Sequence, residues 1–344
     1  MKNRVLSSSP SASDPVPVPS SLPKVRSKDS IATRVAFVLS IVLSTYLFAI
    51  LYHSKWYYEY LSGLGVPPNL NLCWIIVLGY VYSAGIYEAS LRLFKSYVGK
   101  NLVERIYKPD ESPEMRVHRL CNDFNGLIYY STSVALGLYS IWGSHYLPWS
   151  MGGRFNVLDF IHNFPMENPN SLQYFYFLMG LGHHLERLVE FLFKQRNIGD
   201  FWVILFHHIL TVSIMITSFL CGTIYIGLPV LLLHDLIEPF FNLSKIGREV
   251  QTFRPLLNFS LLGLILSWLF SRTFSLTFEF FPNCYKIFTE GGPKTKPLFN
   301  LWLFQILCVY ALWLLNQFWF YQLLLIGYKK FRYGAESSPR DKKD

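Results

Sequence analysis

The sequence predicts an all-α polytopic membrane protein with eight transmembrane helices. Of its 344 residues, 51% are hydrophobic, 17% aromatic and only 15% charged, where an ordinary soluble domain carries about a quarter charged residues. Stretches of roughly 20 mostly apolar residues, enough to cross about 30 Å of hydrocarbon, recur at 33–52, 72–91, 124–146, 172–193, 201–222, 224–244, 256–278 and 299–327. With both termini in the cytosol, the Lys and Arg residues fall on the cytosolic side, with few exceptions. Lys55, Arg154, Lys286, Lys294 and Lys296 lie on the far side, and Arg187 and Arg272 lie inside spans. An odd number of spans would spoil that asymmetry. The net charge of +9 is therefore mainly a topology signal, and no basic, aromatic-rich soluble face exists to bind nucleic acid.

Taken in order, residues 1–30 hold a Ser- and Pro-rich stretch (SSSPSASDPVPVPSSLP) with too little apolar material to fold, and a disordered cytosolic tail is expected there. The apolar run after Arg34 is long enough to span and has no clear cleavage site after it, which favours a membrane helix over a signal peptide. Residues 31–115 then carry two spans and a connecting loop, residues 116–330 the remaining six, and residues 331–344 a basic cytosolic tail. Cys73, Cys121, Cys221, Cys284 and Cys308 are scattered without CxxC spacing, so neither a disulfide framework nor a zinc site is indicated.

Ionisable groups in a span are costly and face a cavity or a partner. Here they cluster. On the fourth span His183, Arg187, Glu190 and Lys194 share a helical stripe, with His184 about 100° away. On the fifth, the adjacent His207 and His208 are followed by Thr211. On the sixth, Asp235, Glu238, Asn242 and Lys245 form one stripe, and His234 is spaced to reach Glu238. At about 1.5 Å per residue, His207, Asp235 and His183 all lie roughly 10–16 Å from the cytosolic surface, so His207, His208 and Asp235 are expected to share one cavity. Pro239 has no N–H for the carbonyl of Asp235 and kinks the helix beside it. The fourth-span cluster admits a structural reading, an Arg–Glu pair locking two helices, and Arg272 either pairs structurally or meets a ligand.

Paired imidazoles facing a carboxylate suit acid–base or nucleophilic acyl transfer. A diiron site would need about eight histidines in close boxes. This chain has nine, and His53, His118, His145 and His162 lie outside the spans or at the very end of one. GxSxG and Walker sequences are absent, which removes support for serine and nucleotide hydrolysis.

The segments DFWVILFHHILT (200–211) and LLLHDLIEPFFNLSKIG (231–247) together resemble the Lag1 motif of ceramide synthases in the TLC-domain family. The likeness extends to RLCNDFNGLIYYSTSVALGLY, to SWLFSR ending at Arg272 and to the final span, covering roughly residues 116–330. The resemblance implies six core helices in a TLC-type barrel with an internal pocket, in the endoplasmic reticulum. It also implies an N-acyltransferase that joins the acyl group of acyl-CoA, as co-substrate with no cofactor, to the amine of a sphingoid base. His207 and His208 match the paired histidines, Asp235 the first acid, Glu238 the second (usually Asp) and Lys245 the lysine. His183, His184, Thr211, His234 and Arg272 are expected to contact substrate, and Lys194, Arg196, Lys245 and Arg248, with Arg116 or Arg119, to hold CoA phosphates. The partners implied are the bilayer, the two substrates, and a homo- or hetero-oligomer with related subunits or a small regulatory subunit. The chain departs from the family where Gly222 and Tyr225 replace Asn and Arg, and where Asn125-Gly126 replaces Trp-Arg. Those departures keep open an alternative, a non-catalytic TLC-domain protein for lipid binding or membrane biogenesis.

Overall fold

The computed structural model describes residues 54–64, 69–93, 113–144, 147–156, 169–194, 201–220, 222–249, 254–290 and 298–333, with the isolated positions Val38, Ile41, Tyr52 and Asp159. All regular structure among them is helical. We number the helices α1 (Ser54–Gly63), α2 (Trp74–Leu93), α3 (Pro113–Ile141), α4 (Ser171–Lys194), α5 (Phe201–Leu220), α6 (Ile224–Asp235), α7 (Glu238–Glu249), α8 (Arg254–Trp268), α9 (Phe281–Glu290) and α10 (Phe299–Tyr333). A π-helical segment, Leu269–Phe280, joins α8 to α9 without a break.

Among the described residues, five stretches are long and apolar enough to cross a membrane: Leu70–Leu93, Phe201–Leu220, Ile224–Arg248, Pro255–Lys286 and Phe299–Leu325. The expected spans at 124–146 and 172–193 are helical, as α3 and α4, but polar side chains, Asn, Ser, Thr and Tyr in α3 and His, Glu and Arg in α4, lower their hydropathy and keep them out of that set. The expected span at 33–52, apart from Val38, Ile41 and Tyr52, the tail at 1–30 and most of the tail at 331–344 lie outside the described residues. Apolar side chains such as Val77, Leu262, Phe278 and Leu314 are exposed on the outside of the bundle, as a lipid-facing surface requires.

Local sequence explains the helix ends that matter. Asn170 and Gln173 exchange bonds at the start of α4: Gln173 N–H donates to Asn170 Oδ1 at 2.9 Å and Asn170 N–H to Gln173 Oε1 at 3.1 Å. This is a capping box. The sixth expected span is not one helix. It breaks after Asp235 and resumes at Glu238, because Pro239 offers no N–H to the carbonyl of Asp235. The ordinary i→i−4 pattern is in place again where the Phe241 N–H donates to the Ile237 carbonyl at 3.0 Å.

Packing then fixes which faces meet. α2 lies along α4, α3 along α7 and α2, α5 against α4 and α10, and α7 against α8, while α6 touches α3, α4, α5 and the π segment. The α2–α4 approach depends on two glycines. A Cβ at Gly182 would meet Ile76 O and the Cα of Gly79, and one at Gly79 would meet the backbone of Met179, so the two backbones touch as small-residue packing allows. Most of the apolar core, including Phe177, Leu210, Leu228, Leu232 and Leu301, lies between these helices.

Candidate functional site

The geometry brings much of the predicted set around one cavity of about 70 Å³. His207, His208 and Thr211 line it from α5, His184 from α4, His234 and Asp235 from α6, Glu238 from α7 and Arg272 from the π segment, with Tyr130, Phe177 and Leu312 completing the wall. The rings of His207 and His208 sit 5.7 Å apart at 64°. Trp319 packs edge-on against His207 at 5.3 Å and Phe191 against His208 at 5.5 Å. The buried Nδ1 of His207 has no hydrogen-bond partner among the described residues, and such an atom is costly unless a ligand or water meets it. The Thr211 hydroxyl donates back to the His207 carbonyl at 3.0 Å, spending its proton within the helix.

The acids have partners other than those the sequence reading gave them. Asp235, 2% exposed, accepts a 2.6 Å bond from the Ser133 hydroxyl of α3 rather than from either imidazole. Glu238 is held by Arg272 at 2.8 Å. That guanidinium also donates to the carbonyl of His234 at 2.8 Å and to Asn316 Oδ1 at 3.2 Å, and lies 4.8 Å over the Trp268 ring. His234 does not turn to Glu238. Its Nδ1 faces the Val230 carbonyl at 2.8 Å, so that nitrogen carries the proton, and Nε2 accepts from Asn316 Nδ2 at 3.2 Å. The expected pairing of His234 with Glu238, and the orienting of the paired histidines by Asp235 and Glu238, are both corrected by these bonds. The break at 236–237 turns Glu238 towards the π segment, where a buried cation needs an anion more than a neutral ring does.

The fourth-span cluster divides. His184 faces the cavity, whereas His183 lies behind it, stacked on Tyr129 with ring centres 3.5 Å apart. The Ser83 hydroxyl of α2 donates to Glu186 at 3.0 Å, so at 2.8 Å His183 Nδ1 must be the donor to Ser83. Arg187 bridges Glu186 at 2.8 Å and Glu190 at 2.7 Å. Both ion pairs lie within α4, so the expected Arg–Glu lock between two helices is corrected: the bonds from this cluster to α2 run from His183 and Glu186 to Ser83. Lys245 pairs with Asp123 of α3 at 3.6 Å and lies over the Phe241 ring, and Arg248 is exposed. Arg196 and the side chains of Lys194 and Arg116 lie outside the described residues. Among the described residues no three His, Cys, Asp or Glu side chains converge as a metal ion would require.

A family model for the TLC domain matches residues 119–325, which include every cavity residue named above. The chain belongs to the TLC-domain family. Among curated proteins similar to it, Ceramide synthase hyl-2 of Caenorhabditis elegans is 24% identical over 239 residues, covering 66% of this chain and 69% of that one. Ceramide synthase hyl-1 of the same organism is 23% identical over 224 residues, 62% of this chain and 58% of that one. Sphingosine N-acyltransferase lag1 of Schizosaccharomyces pombe is 24% identical over 225 residues, 62% of this chain and 54% of that one. The matches thus span from about half to about two thirds of these relatives' length.

Two departures from the TLC-domain pattern have local explanations. Gly222 has φ 68° in the turn between α5 and α6, a left-handed conformation that Asn also adopts more readily than most residues. At Gly126 a Cβ would stand 2.5 Å from Asn242 Oδ1, so the α7 amide fills the space a larger residue would need. Tyr225, where the pattern has Arg, is buried in the core. Sequence reasoning passed over Ser133 and Asn316. A serine in a span is too common to signal anything, but Asn316 in the run ALWLLNQFW is a polar residue at membrane depth of the kind that flags a site.

Proposed function

We propose that this TLC-domain protein is an acyl-CoA-dependent sphingosine N-acyltransferase, a ceramide synthase, whose transfer step takes place in the cavity bounded by His207, His208 and Asp235. The observation that carries the reading is that these residues, fifth- and sixth-span members of the Lag1-type motif, line one cavity while His207 Nδ1 has no partner among the described residues. The curated similarity to ceramide synthases supports it.

In this reading one imidazole acts in either of two ways. It attacks the thioester carbonyl, the C–S bond breaks, CoA leaves as the thiolate, and the acyl-imidazole is opened by the sphingoid amine. Alternatively it takes the proton from the amine as nitrogen attacks the thioester directly. In both cases Asp235, oriented by Ser133, supplies the negative charge that faces the imidazolium or the incoming ammonium. Glu238 contributes through Arg272, holding the π segment against α6 and α7.

The six helical segments α3, α4, α5, α6–α7, α8 with its π extension, and α10 are read as the TLC barrel, spanning 116–330 and preceded by two further spans. The basic end, with Arg119, Lys194, Arg196, Lys245 and Arg248, faces the cytosol of the endoplasmic reticulum and meets the CoA phosphates. Lys245 exchanges Asp123 for a phosphate when CoA arrives. Homo- or hetero-oligomers with related subunits fit the family.

Purified protein given sphingosine and acyl-CoA is expected to form ceramide. His207→Ala, His208→Ala and Asp235→Asn should each lower the rate about 10²-fold or more, the range for losing a positioned acid or base, while eluting as folded protein. An acylated protein seen by intact mass spectrometry without amine selects the first route. Absence of turnover with any chain length favours the non-catalytic alternative.

A further inference from the structure

We propose that the acyl chain of the substrate leaves the catalytic cavity past Gly227 and ends against a hydrogen-bonded floor centred on Gln305, which limits the chain to about 14–16 carbons. The inference rests on the fatty acyl substrate proposed above. A second, narrower cavity of about 20 Å³ has Phe280, Trp302, Ile306 and Val309 in its wall. It shares Ile214, Gly227 and Val230 with the first, so the two cavities adjoin at these residues. Gly227 stands at this boundary, where a Cβ would press on the Phe177 ring at 2.8 Å and meet Ser218 Oγ at 3.4 Å, so any larger residue there would narrow the way between the two cavities.

The floor is polar in an otherwise apolar slot. Gln305 Nε2 shares its two protons among Thr223 Oγ1 at 2.9 Å, Thr217 Oγ1 at 3.3 Å and Ser218 Oγ at 3.4 Å, and all four residues are buried. It joins α10 to the end of α5 and the turn after it. A methyl terminus cannot replace any of these bonds. Burying one more methylene favours binding about fourfold, whereas opening one buried hydrogen bond disfavours it about five- to 150-fold. The chain therefore stops at the cluster. Ser218 lies three turns along α5 from His207, roughly 16 Å at 1.5 Å per residue. An extended alkyl chain advances about 1.3 Å per carbon given a carbon–carbon bond of about 1.5 Å, which sets the floor roughly 12–13 carbons beyond the reacting carbonyl along the helix axis, and a path inclined to that axis takes a few more.

The test uses the full-length protein and a series of non-hydrolysable thioether acyl-CoA analogues with 12 to 24 carbons, read as binding, alongside turnover of the matching acyl-CoAs. The wild type should prefer about 14–16 carbons and bind the 22- and 24-carbon analogues at least tenfold more weakly. Gln305→Ala should move the optimum about two to four carbons longer, and Gly227→Ala should shorten it. A wild-type preference for 22 carbons or more, or an unchanged length profile in folded variants, overturns the floor. If either variant fails to fold, the wild-type series decides. Chain-length-selective binding without ceramide formation would overturn the acyltransferase reading and leave the slot standing, so the two failures are distinguishable.

Discussion

Replacing Arg272 with alanine tests how the cavity is held open. The guanidinium is 4% exposed and makes three bonds, to Glu238, to the His234 carbonyl and to Asn316. Its removal strands a carboxylate at the cavity wall and two acceptors in the interior. Breaking a buried pair from one side costs about 3–5 kcal/mol, because the surviving charge keeps its desolvation penalty. At about 2 °C per kcal/mol, the low end for large domains, Arg272→Ala should lower the melting temperature by roughly 6–10 °C. Glu238→Gln keeps an acceptor for the guanidinium and should cost less, about 1–3 kcal/mol. The double variant Arg272→Met/Glu238→Leu removes both charges and fills the volume, so it should recover more than half of the loss seen in Arg272→Ala. The assay is thermal unfolding in detergent followed by size exclusion, run as a double-mutant cycle. A melting temperature within about 1 °C of wild type in Arg272→Ala, or a double variant no better than the single, would refute the claim that this network is a coupled structural element.

Lys245→Ala should raise KM for acyl-CoA several-fold while leaving KM for the sphingoid base and kcat nearly unchanged, and the wild-type preference should weaken as salt rises, since an exposed phosphate contact is screened. Steady-state kinetics at two ionic strengths check both. Gly182→Val should abolish folded protein, because its side chain would enter the backbone of α2 at Ile76 and Gly79, whereas Gly63→Ala, with open space at its Cβ, should express normally. Fluorescence-detected size exclusion of the two side by side is the measurement.

Helical periodicity made much of the site legible. His207, His208 and Asp235 were placed in one cavity from depth and spacing alone, and Pro239 marked the break beside Asp235. The fourth-span stripe was half right. Periodicity groups His183 with Arg187 and Glu190, and in the structure His183 turns with Glu186 to Ser83 of α2, while Arg187 and Glu190 pair within α4. His184, set apart in the sequence by its angle, is the one that reaches the cavity. The polar character of α3 and α4, which weakens their apolar signal, has the same origin as their packing: both carry side chains that answer polar groups on neighbouring helices.

The sequence by itself determined the solvent the chain is built for, the helical class, the family and the depth of each ionisable group, because these follow from hydrophobicity summed over short windows and from a repeat of 3.6 residues. Only the tertiary structure decided the partners. Asp235 took Ser133, Glu238 took Arg272, and His234 took Val230 and Asn316. Such choices depend on how far each helix is rotated and how closely its backbone can approach another. Contacts remote in sequence, such as Gly79 against Gly182, set that geometry, and no local pattern encodes it.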